Sequence, residues 1–165
     1  MEGFNLSGRN FIVGFGEADK HLIFMSLALE EARKAFREGE VPVGCVVVLD
    51  GRVIARAHNR TAALSDPTAH AEVLALREAG EKLGDWRLEG VSVYVTIEPC
   101  VMCAGAMVLA RVKEVIYALE DEKFGAMSLY GLASDPRLNH RFRLIKGPLG
   151  DEVRELLAEF FRDKR

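Results

Sequence analysis

Two short segments of the sequence carry side chains that could bind a metal ion. Residues 70–72 are His-Ala-Glu, and residues 99–103 are Pro-Cys-Val-Met-Cys. Thiolate and imidazole are good zinc ligands. Two cysteines three positions apart on a helix lie on one face, so both can reach the same ion. The proline before them is typical of a helix start, whose positive end favours thiolates. The spacing therefore predicts a zinc site with His70, Cys100 and Cys103 as ligands.

Glu72 lies two residues from His70, which places the two side chains on different sides of a helix. This is a poor arrangement for two ligands of one ion, but it allows His70 to bind the metal while Glu72 approaches the water on it. Three protein ligands and an open fourth position are typical of catalytic zinc sites, whereas structural sites usually have four protein ligands. We therefore predict a catalytic site in which Glu72 moves protons.

Two other interpretations of the cysteines are open. A redox C-x-x-C pair would leave Glu72 without a purpose, and a total of three cysteines argues against a disulfide framework. A closed structural zinc site would need a fourth ligand, and Cys45 is the remaining thiol. Because Cys45 lies in the apolar run 43–49, a buried packing role is favoured.

The two segments resemble the signature of the zinc-dependent deaminase superfamily, H-x-E followed by P-C-x-x-C. From about Met25 to the C-terminus, the sequence is similar to the bacterial tRNA adenosine deaminases, and the loop 120–131 matches them less closely. The segments that carry this resemblance are 41–44, Asn59, 66–72, 96–106, 139–141 and 160–162.

The resemblance implies hydrolytic deamination of adenosine to inosine at wobble position 34 of tRNA. Zinc-activated water would attack C6 of the adenine, with Glu72 as the proton shuttle. The implied cofactor is one Zn²⁺ per subunit, the implied partner is the tRNA anticodon stem-loop, and the implied assembly is a homodimer. One alternative is a deaminase of a free base or nucleotide of the guanine, cytosine or cytidine type. Another is a non-catalytic zinc-stabilised binding module, against which Glu72 counts.

The resemblance also implies which residues bind the substrate. Asn59 would hydrogen-bond the flipped base, and the backbone around Ala71 and Glu98 would shape the pocket. Contacts with nearby nucleotides are implied for Asp121, Asn139, His140, Phe161 and Arg162. From the helical pattern alone, Phe160 is favoured as a packing residue, and Phe161 is undecided between packing and contact with RNA or a partner.

The elements that must position these residues follow from the hydrophobic periodicity. Apolar residues recur at helical spacing from Leu22 onward, and Gly39 supplies a stop. The Asp50-Gly51 pair predicts a two-residue hairpin between strands at 43–49 and 53–58. Further helices are predicted at about 69–81, 100–110 and 151–165, and further strands at 91–97, 112–119 and 141–146.

This order of elements predicts helices covering a mixed sheet. The strands of the hairpin must be antiparallel, whereas the strands separated by helices are predicted to be parallel. With the resemblance, the expected fold is an α/β, three-layer α/β/α sandwich of the cytidine deaminase-like kind, with helices on both faces of a five-stranded sheet. The predicted organisation is a leader of uncertain order at 1–19 and a single deaminase domain at 20–165.

The composition limits other classes of function. A chain of 165 residues fits one domain, and its formal net charge of −3 gives no global sign of nucleic-acid binding. Contacts with RNA would therefore rest on local patches. No apolar run approaches the roughly 20 residues of a membrane-spanning helix, and the N-terminal residues do not resemble a signal peptide. We therefore expect a cytoplasmic protein with no membrane partner.

Overall fold

The computed structural model describes residues 15–162 and residue 164. Most of the predicted leader at 1–19 lies outside these residues, although the first helix already begins at Glu17. The helices are α1 (Glu17–Arg37), α2 (Thr61–Leu64), α3 (Ala71–Leu83), α4 (Val101–Leu109), α5 (Ala126–Tyr130) and α6 (Gly150–Arg162). The strands are β1 (Gly44–Leu49), β2 (Arg52–His58), β3 (Ser92–Ile97), β4 (Glu114–Leu119) and β5 (Arg143–Lys146). Within the described part of the chain, no helix is both long and apolar enough to cross a membrane.

The five strands form one mixed sheet in the order β2-β1-β3-β4-β5. Strand β1 pairs antiparallel with β2 and β3, and β4 pairs parallel with β3 and β5. The turn between β1 and β2 has a φ of 50° at Asp50 and 73° at Gly51, as a type I′ hairpin requires. The predicted five-stranded mixed sheet and its antiparallel hairpin are confirmed.

Helices cover both faces of the sheet. On one face, α3 and α4 contribute Ala75 and Met107 to the larger core. On the other face, α1 and α6 contribute Phe24 and Val153 to a second core. Because successive side chains of a strand point to opposite faces, the apolar strands β1, β3 and β4 supply both cores. The predicted α/β/α sandwich is confirmed.

Two differences from the predicted boundaries bear on the site. Helix α3 begins at Ala71 and α4 at Val101, so His70 and Cys100 are the N-cap residues of these helices. The short helices α2 and α5, of 4 and 5 residues, were not predicted. Segments of this length are too short to show a helical period.

Helix α1 packs directly against strand β1 at Gly44. A Cβ built on Gly44 would clash with the carbonyl oxygen of Ala28 and approach the amide nitrogen of Ala32 to 2.5 Å. Both atoms belong to helix backbone, which cannot rotate away as a side chain can. The Gly44 amide also donates a hydrogen bond to Thr96 Oγ1 of β3, at 3.1 Å. Glycine at this position therefore sets the distance between the first helix and the sheet.

Gly44→Ala is expected to destabilise the protein by about 3 kcal/mol or more, because the added methyl group must displace helix backbone. Urea denaturation followed by circular dichroism measures the free energy of unfolding. Gly16→Ala is the matched control, since a Cβ there would lie 3.7 Å from its nearest neighbour, an ordinary contact. Equal stability of the two variants would contradict direct packing of α1 on β1.

Candidate active site

A tight turn presents His70 at the start of α3. Asp66 Oδ1 accepts hydrogen bonds from the amide and the hydroxyl of Thr68, at 2.8 and 2.7 Å, and Pro67 restricts the backbone between them. The Thr68 hydroxyl and then its amide hold the pKa of Asp66 below its usual range. His70 follows with extended backbone angles and becomes the N-cap of α3.

The two cysteines lie at the start of α4, just after β3. Strand β3 ends at Ile97, Cys100 is the N-cap of α4, and Cys103 is fully buried one turn later. Cys100 Sγ lies 3.6 Å from His70 Nδ1, so the N-termini of α3 and α4 meet at this point. The positive ends of the two helix dipoles favour thiolates here.

The spacing of the three side chains fits a zinc ion. His70 Nδ1 lies 3.6 Å from Cys100 Sγ and 3.5 Å from Cys103 Sγ, and all three ligand atoms lie within 4.8 Å of one another. Tetrahedral zinc with its usual bond lengths puts a nitrogen and a sulfur ligand about 3.6 Å apart. Both the donor types and their separations therefore allow this group to hold zinc.

The protonation of the two thiols also points to a cation. A hydrogen bond from Cys103, with a further one from His70, lowers the pKa of Cys100 to about 4. The Cys103–Cys100 hydrogen bond raises the pKa of Cys103, and burial raises it further. Two adjacent thiolates repel each other, so a bound cation is what allows both sulfurs to lose their protons.

Cys45 does not join this group. It is fully buried in β1, and burial raises the pKa of its thiol well above the usual range. Among the described residues, the cluster able to hold a metal consists of His70, Cys100 and Cys103. The favoured packing role of Cys45 is confirmed, and the cluster offers three protein ligands, as catalytic zinc sites do.

Glu72 is a buried carboxyl group beside the three candidate ligands. Its side chain lines the same cavity as His70 and Cys100. The residue is 3% exposed, and its Oε2 has no hydrogen-bond partner among the described residues. Burial raises the pKa of Glu72 above its ordinary value, and a carboxyl group with a raised pKa holds a proton more readily than an exposed one. A buried oxygen without a partner is available to a molecule that enters the cavity.

The site opens into a cavity of about 790 Å³. The predicted site residues that line it are Asn59, His70, Glu72, Glu98, Cys100, Asp121 and Phe161. Cys103 contacts His70 from the buried side. Lining residues that the sequence analysis did not assign to the site include Thr61, Lys123, Phe124 and Leu157.

The other predicted substrate residues do not line this cavity. Ala71 is buried in the larger core, and Arg162 is exposed at the end of α6. His140 Nε2 donates a hydrogen bond to the carbonyl oxygen of Val112, at 2.7 Å, and Asn139 precedes it. Both residues therefore lie near the N-terminal ends of β4 and β5, whereas the cavity lies beyond the C-terminal ends of β3 and β4. Their contacts with RNA stay predictions.

Glu40, which the sequence analysis missed, holds Asn59 in the cavity wall. The Asn59 amide donates to Glu40 Oε2 at 3.3 Å. The same carboxylate accepts hydrogen bonds from the amides of Ala62 and Ala63, at 3.2 and 2.7 Å, in the first turn of α2. Glu40 thus caps α2 and fixes Asn59 at once. An isolated glutamate gives no sequence pattern from which this double role could be predicted.

Glu98 holds a second wall of the cavity in the same way. Its carboxylate accepts hydrogen bonds from the amides of Met127 and Ser128, at 3.1 and 2.9 Å, and from the Ser128 hydroxyl. It also accepts one from the Asp121 amide, at 3.3 Å. A Cβ at Gly125 would clash with this carboxylate. Glu98 therefore caps α5 and ties residues 121–128 to the end of β3.

Comparison with known proteins identifies the family. The profile of the MafB19-like deaminases matches residues 19–165, and the chain belongs to this family. The chain is 48% identical over 143 residues to the tRNA-specific adenosine deaminase of Aquifex aeolicus (strain VF5), which covers 86% of this chain and 94% of that protein.

Solved structures show the same relationship. One from a study of A-to-I editing by tRNA:A34 deaminases at the wobble position of transfer RNA is 48% identical, with a TM-score of 0.80 over 82% of this chain and 99% of that one. The guanine deaminase from Bacillus subtilis is 33% identical, with a TM-score of 0.61 over 87% and 94% of the two chains. Within the deaminases, the chain belongs to the tRNA-specific adenosine deaminases.

Glu98→Ala is expected to destabilise the protein by about 2–4 kcal/mol, because the amides that it caps lose their acceptor. Hydrogen exchange of residues 121–128, followed by mass spectrometry, should become faster. Glu122→Ala is the matched control, since Glu122 is an exposed acid on the same loop. Unchanged exchange in this segment of the Glu98 variant would show that the carboxylate does not hold the wall.

Proposed function

We propose that this protein is a hydrolase that converts adenosine at wobble position 34 of tRNA to inosine and releases ammonia. The observation that carries the proposal is the buried Glu72 carboxyl group, whose Oε2 has no hydrogen-bond partner among the described residues, beside three candidate zinc ligands in a solvent-accessible cavity. The 48% identity to a tRNA-specific adenosine deaminase supports the choice of substrate. Because that substrate is tRNA, we propose that the protein acts in the cytoplasm on the anticodon stem-loop.

The proposed cofactor is one Zn²⁺ per subunit, held by His70, Cys100 and Cys103. When bound, zinc supplies the Lewis acidity that makes water a nucleophile at neutral pH. Glu72 accepts one proton of the water and delivers it to N1 of the adenine, which makes C6 electrophilic. After the oxygen adds to C6, Glu72 transfers the remaining proton to the amino group, the C6–N bond breaks, and ammonia leaves. Such acid–base assistance contributes about 10²–10⁴-fold to the rate.

The walls of the cavity suggest how the base is oriented. The Asn59 amide nitrogen donates to Glu40, and we propose that the Asn59 carbonyl oxygen accepts a hydrogen bond from the base. The backbone around Ala71 and Glu98 would shape the base pocket. Extrusion of a loop base costs little free energy, because such a base is already largely unpaired. The proposed contacts with neighbouring nucleotides are Asp121, Asn139, His140, Phe161 and Arg162.

The assay for this function incubates the zinc-loaded protein with an anticodon stem-loop that carries adenosine at position 34. Nucleosides from the digested RNA are then measured for inosine. Free guanine, adenine, cytosine and cytidine are tested in parallel, because the likeness to a guanine deaminase supports a free base as the second candidate substrate. Turnover of a free base without inosine in the RNA would refute the proposed substrate.

Glu72→Gln is expected to lower kcat by about 10²–10⁴-fold, because the proton shuttle is lost while the three ligands are kept. Zinc content, measured by mass spectrometry of the metal, should stay at one ion per subunit. Cys103→Ser should lose the ion, because a thiolate ligand is removed. Cys45→Ala is the matched control and should retain zinc. Loss of zinc from the Cys45 variant alone would contradict the proposed ligand set.

We propose that the protein is a homodimer that associates through the outer surface of α3 and α4. A groove between these helices contains Ala106 together with Trp86 and Leu109, whose side chains are 61% and 70% exposed. A Cβ built on Gly105 would meet no atom within 4 Å, so a second backbone could approach closely. Large apolar side chains grouped in one groove are typical of an interface between subunits.

Leu109→Glu is expected to convert the dimer into a monomer, because it replaces an exposed apolar side chain of this groove with a charge. Light scattering after gel filtration measures the mass, which should fall from twice 18.3 kDa to 18.3 kDa. Leu22→Glu is the matched control, since Leu22 is 46% exposed on α1, on the other face of the sheet. A Leu109 variant that keeps the mass of a dimer would refute this interface.

A further inference from the structure

Phe124 is an exposed aromatic residue at the catalytic cavity. It lies in the loop between β4 and α5, its side chain is 69% exposed, and it lines the same cavity as Glu72 and Cys100. A single exposed phenylalanine elsewhere on a surface would need no explanation. This ring instead lies beside the residues that would carry out the reaction.

The loop beneath Phe124 is held by hydrogen bonds. The amides of Lys123 and Phe124 donate to Asp121 Oδ1, at 3.0 and 3.1 Å, and the Gly125 amide donates to the Asp121 carbonyl oxygen, at 2.8 Å. Asp121 is in turn bound through its own amide to Glu98. The backbone of this loop is therefore fixed, and Phe124 is presented to the cavity by a preorganised support.

Packing within the chain does not explain the position of this ring. Phe160 on α6 shows what a phenylalanine that packs within the chain looks like. It is buried, and its ring contacts those of Phe36 and Phe161 at centroid distances of 6.1 and 5.2 Å. Among the described residues, Phe124 contacts no other aromatic ring. Its apolar surface is therefore available to a ligand in the cavity.

The size and lining of the cavity leave room for more than one nucleotide. Its volume of about 790 Å³ is several times that of one purine base. Besides Phe124, the exposed residues Phe161, Lys123 and Lys164 line it. Aromatic rings that stack on bases, with nearby cations that attract phosphates, are the typical elements of single-stranded nucleic-acid sites. A free base would use only the catalytic end of such a cavity.

We propose that the Phe124 ring stacks on the base of a nucleotide next to the target adenosine, with Lys123 near the RNA backbone. This inference rests on the proposed function and adds a specificity-determining residue to it. Stacking on the neighbour holds the RNA chain at the cavity while the target base extends toward Glu72. The occupant of this subsite is a base of either the preceding or the following nucleotide.

Phe124→Ala is expected to lower kcat/KM for the anticodon stem-loop by about 5- to 30-fold, mainly through KM, as the loss of one base–aromatic contact predicts. Phe124→Trp should keep the activity within about threefold, because indole also stacks. Tyr130→Ala is the matched control, since Tyr130 is 63% exposed on α5 and does not line the cavity. It should leave both constants unchanged.

A double-mutant design identifies the stacked base. Stem-loops with an abasic residue at position 33 or at position 35 are compared with the intact RNA, using the wild type and Phe124→Ala. On the RNA that lacks the stacked base, kcat/KM of Phe124→Ala should be less than about twofold below that of the wild type. Equal losses on all three RNAs, or no loss on the intact RNA, would overturn the inference.

A spectroscopic measurement separates stacking from a structural role. Stem-loops with 2-aminopurine at position 33 or 35 are titrated with protein carrying Glu72→Gln, which binds without turnover. Fluorescence of 2-aminopurine at the stacked position should be quenched on binding. The double variant Glu72→Gln/Phe124→Ala should quench it less. Quenching that persists without Phe124 refutes the contact. If the wild type forms no inosine in any stem-loop, the proposed function fails, whereas normal editing with no effect of Phe124→Ala refutes this inference alone.

Discussion

The site depends on one constraint, the meeting of the N-termini of α3 and α4 at a sulfur–nitrogen distance of 3.5–3.6 Å. Each helix contributes its N-cap residue, His70 or Cys100, and α4 adds Cys103 from its first turn. Strand β3 leads into α4 through three residues, the last of which is Cys100, so the sheet sets the position of both cysteines. The helix dipoles stabilise negative sulfur at the same point. Architecture and electrostatics therefore favour one location for a cation.

Two buried glutamates extend this arrangement to the walls of the cavity. Glu40 accepts hydrogen bonds from backbone amides in the first turn of α2 and from the side-chain amide of Asn59. Glu98 accepts hydrogen bonds from backbone amides in the first turn of α5. Both carboxylates lie at helix N-termini, where negative charge is favourable. Neither short helix has enough length to be stable alone, so these carboxylates supply the stabilisation that periodic packing supplies to the longer helices. These two carboxylates consequently hold two walls of the cavity in place.

The clustering of His70, Cys100 and Cys103 was predictable from sequence because these residues lie in two short segments with a known chemical pattern. The sheet and long helices were predictable because their apolar residues repeat over many positions. The role of Glu40 in holding Asn59 and α2 was not predictable, because its partners lie about twenty residues away in sequence and no local spacing marks them. For Asn139 and His140, the parallel pairing of β4 and β5 puts the residues before β5 at the sheet edge away from the cavity, which the linear sequence does not reveal.

The loop between β4 and α5 is divided into an anchored base and an exposed tip. Glu98, Asp121 and Gly125 fix its backbone, whereas the side chains at 122–124 are exposed and take no part in that anchoring. Changes at the tip can therefore accumulate without a large cost in folding free energy. This separation lets the tip vary in sequence among related chains while the backbone of the loop and the cluster of His70, Cys100 and Cys103 stay unchanged.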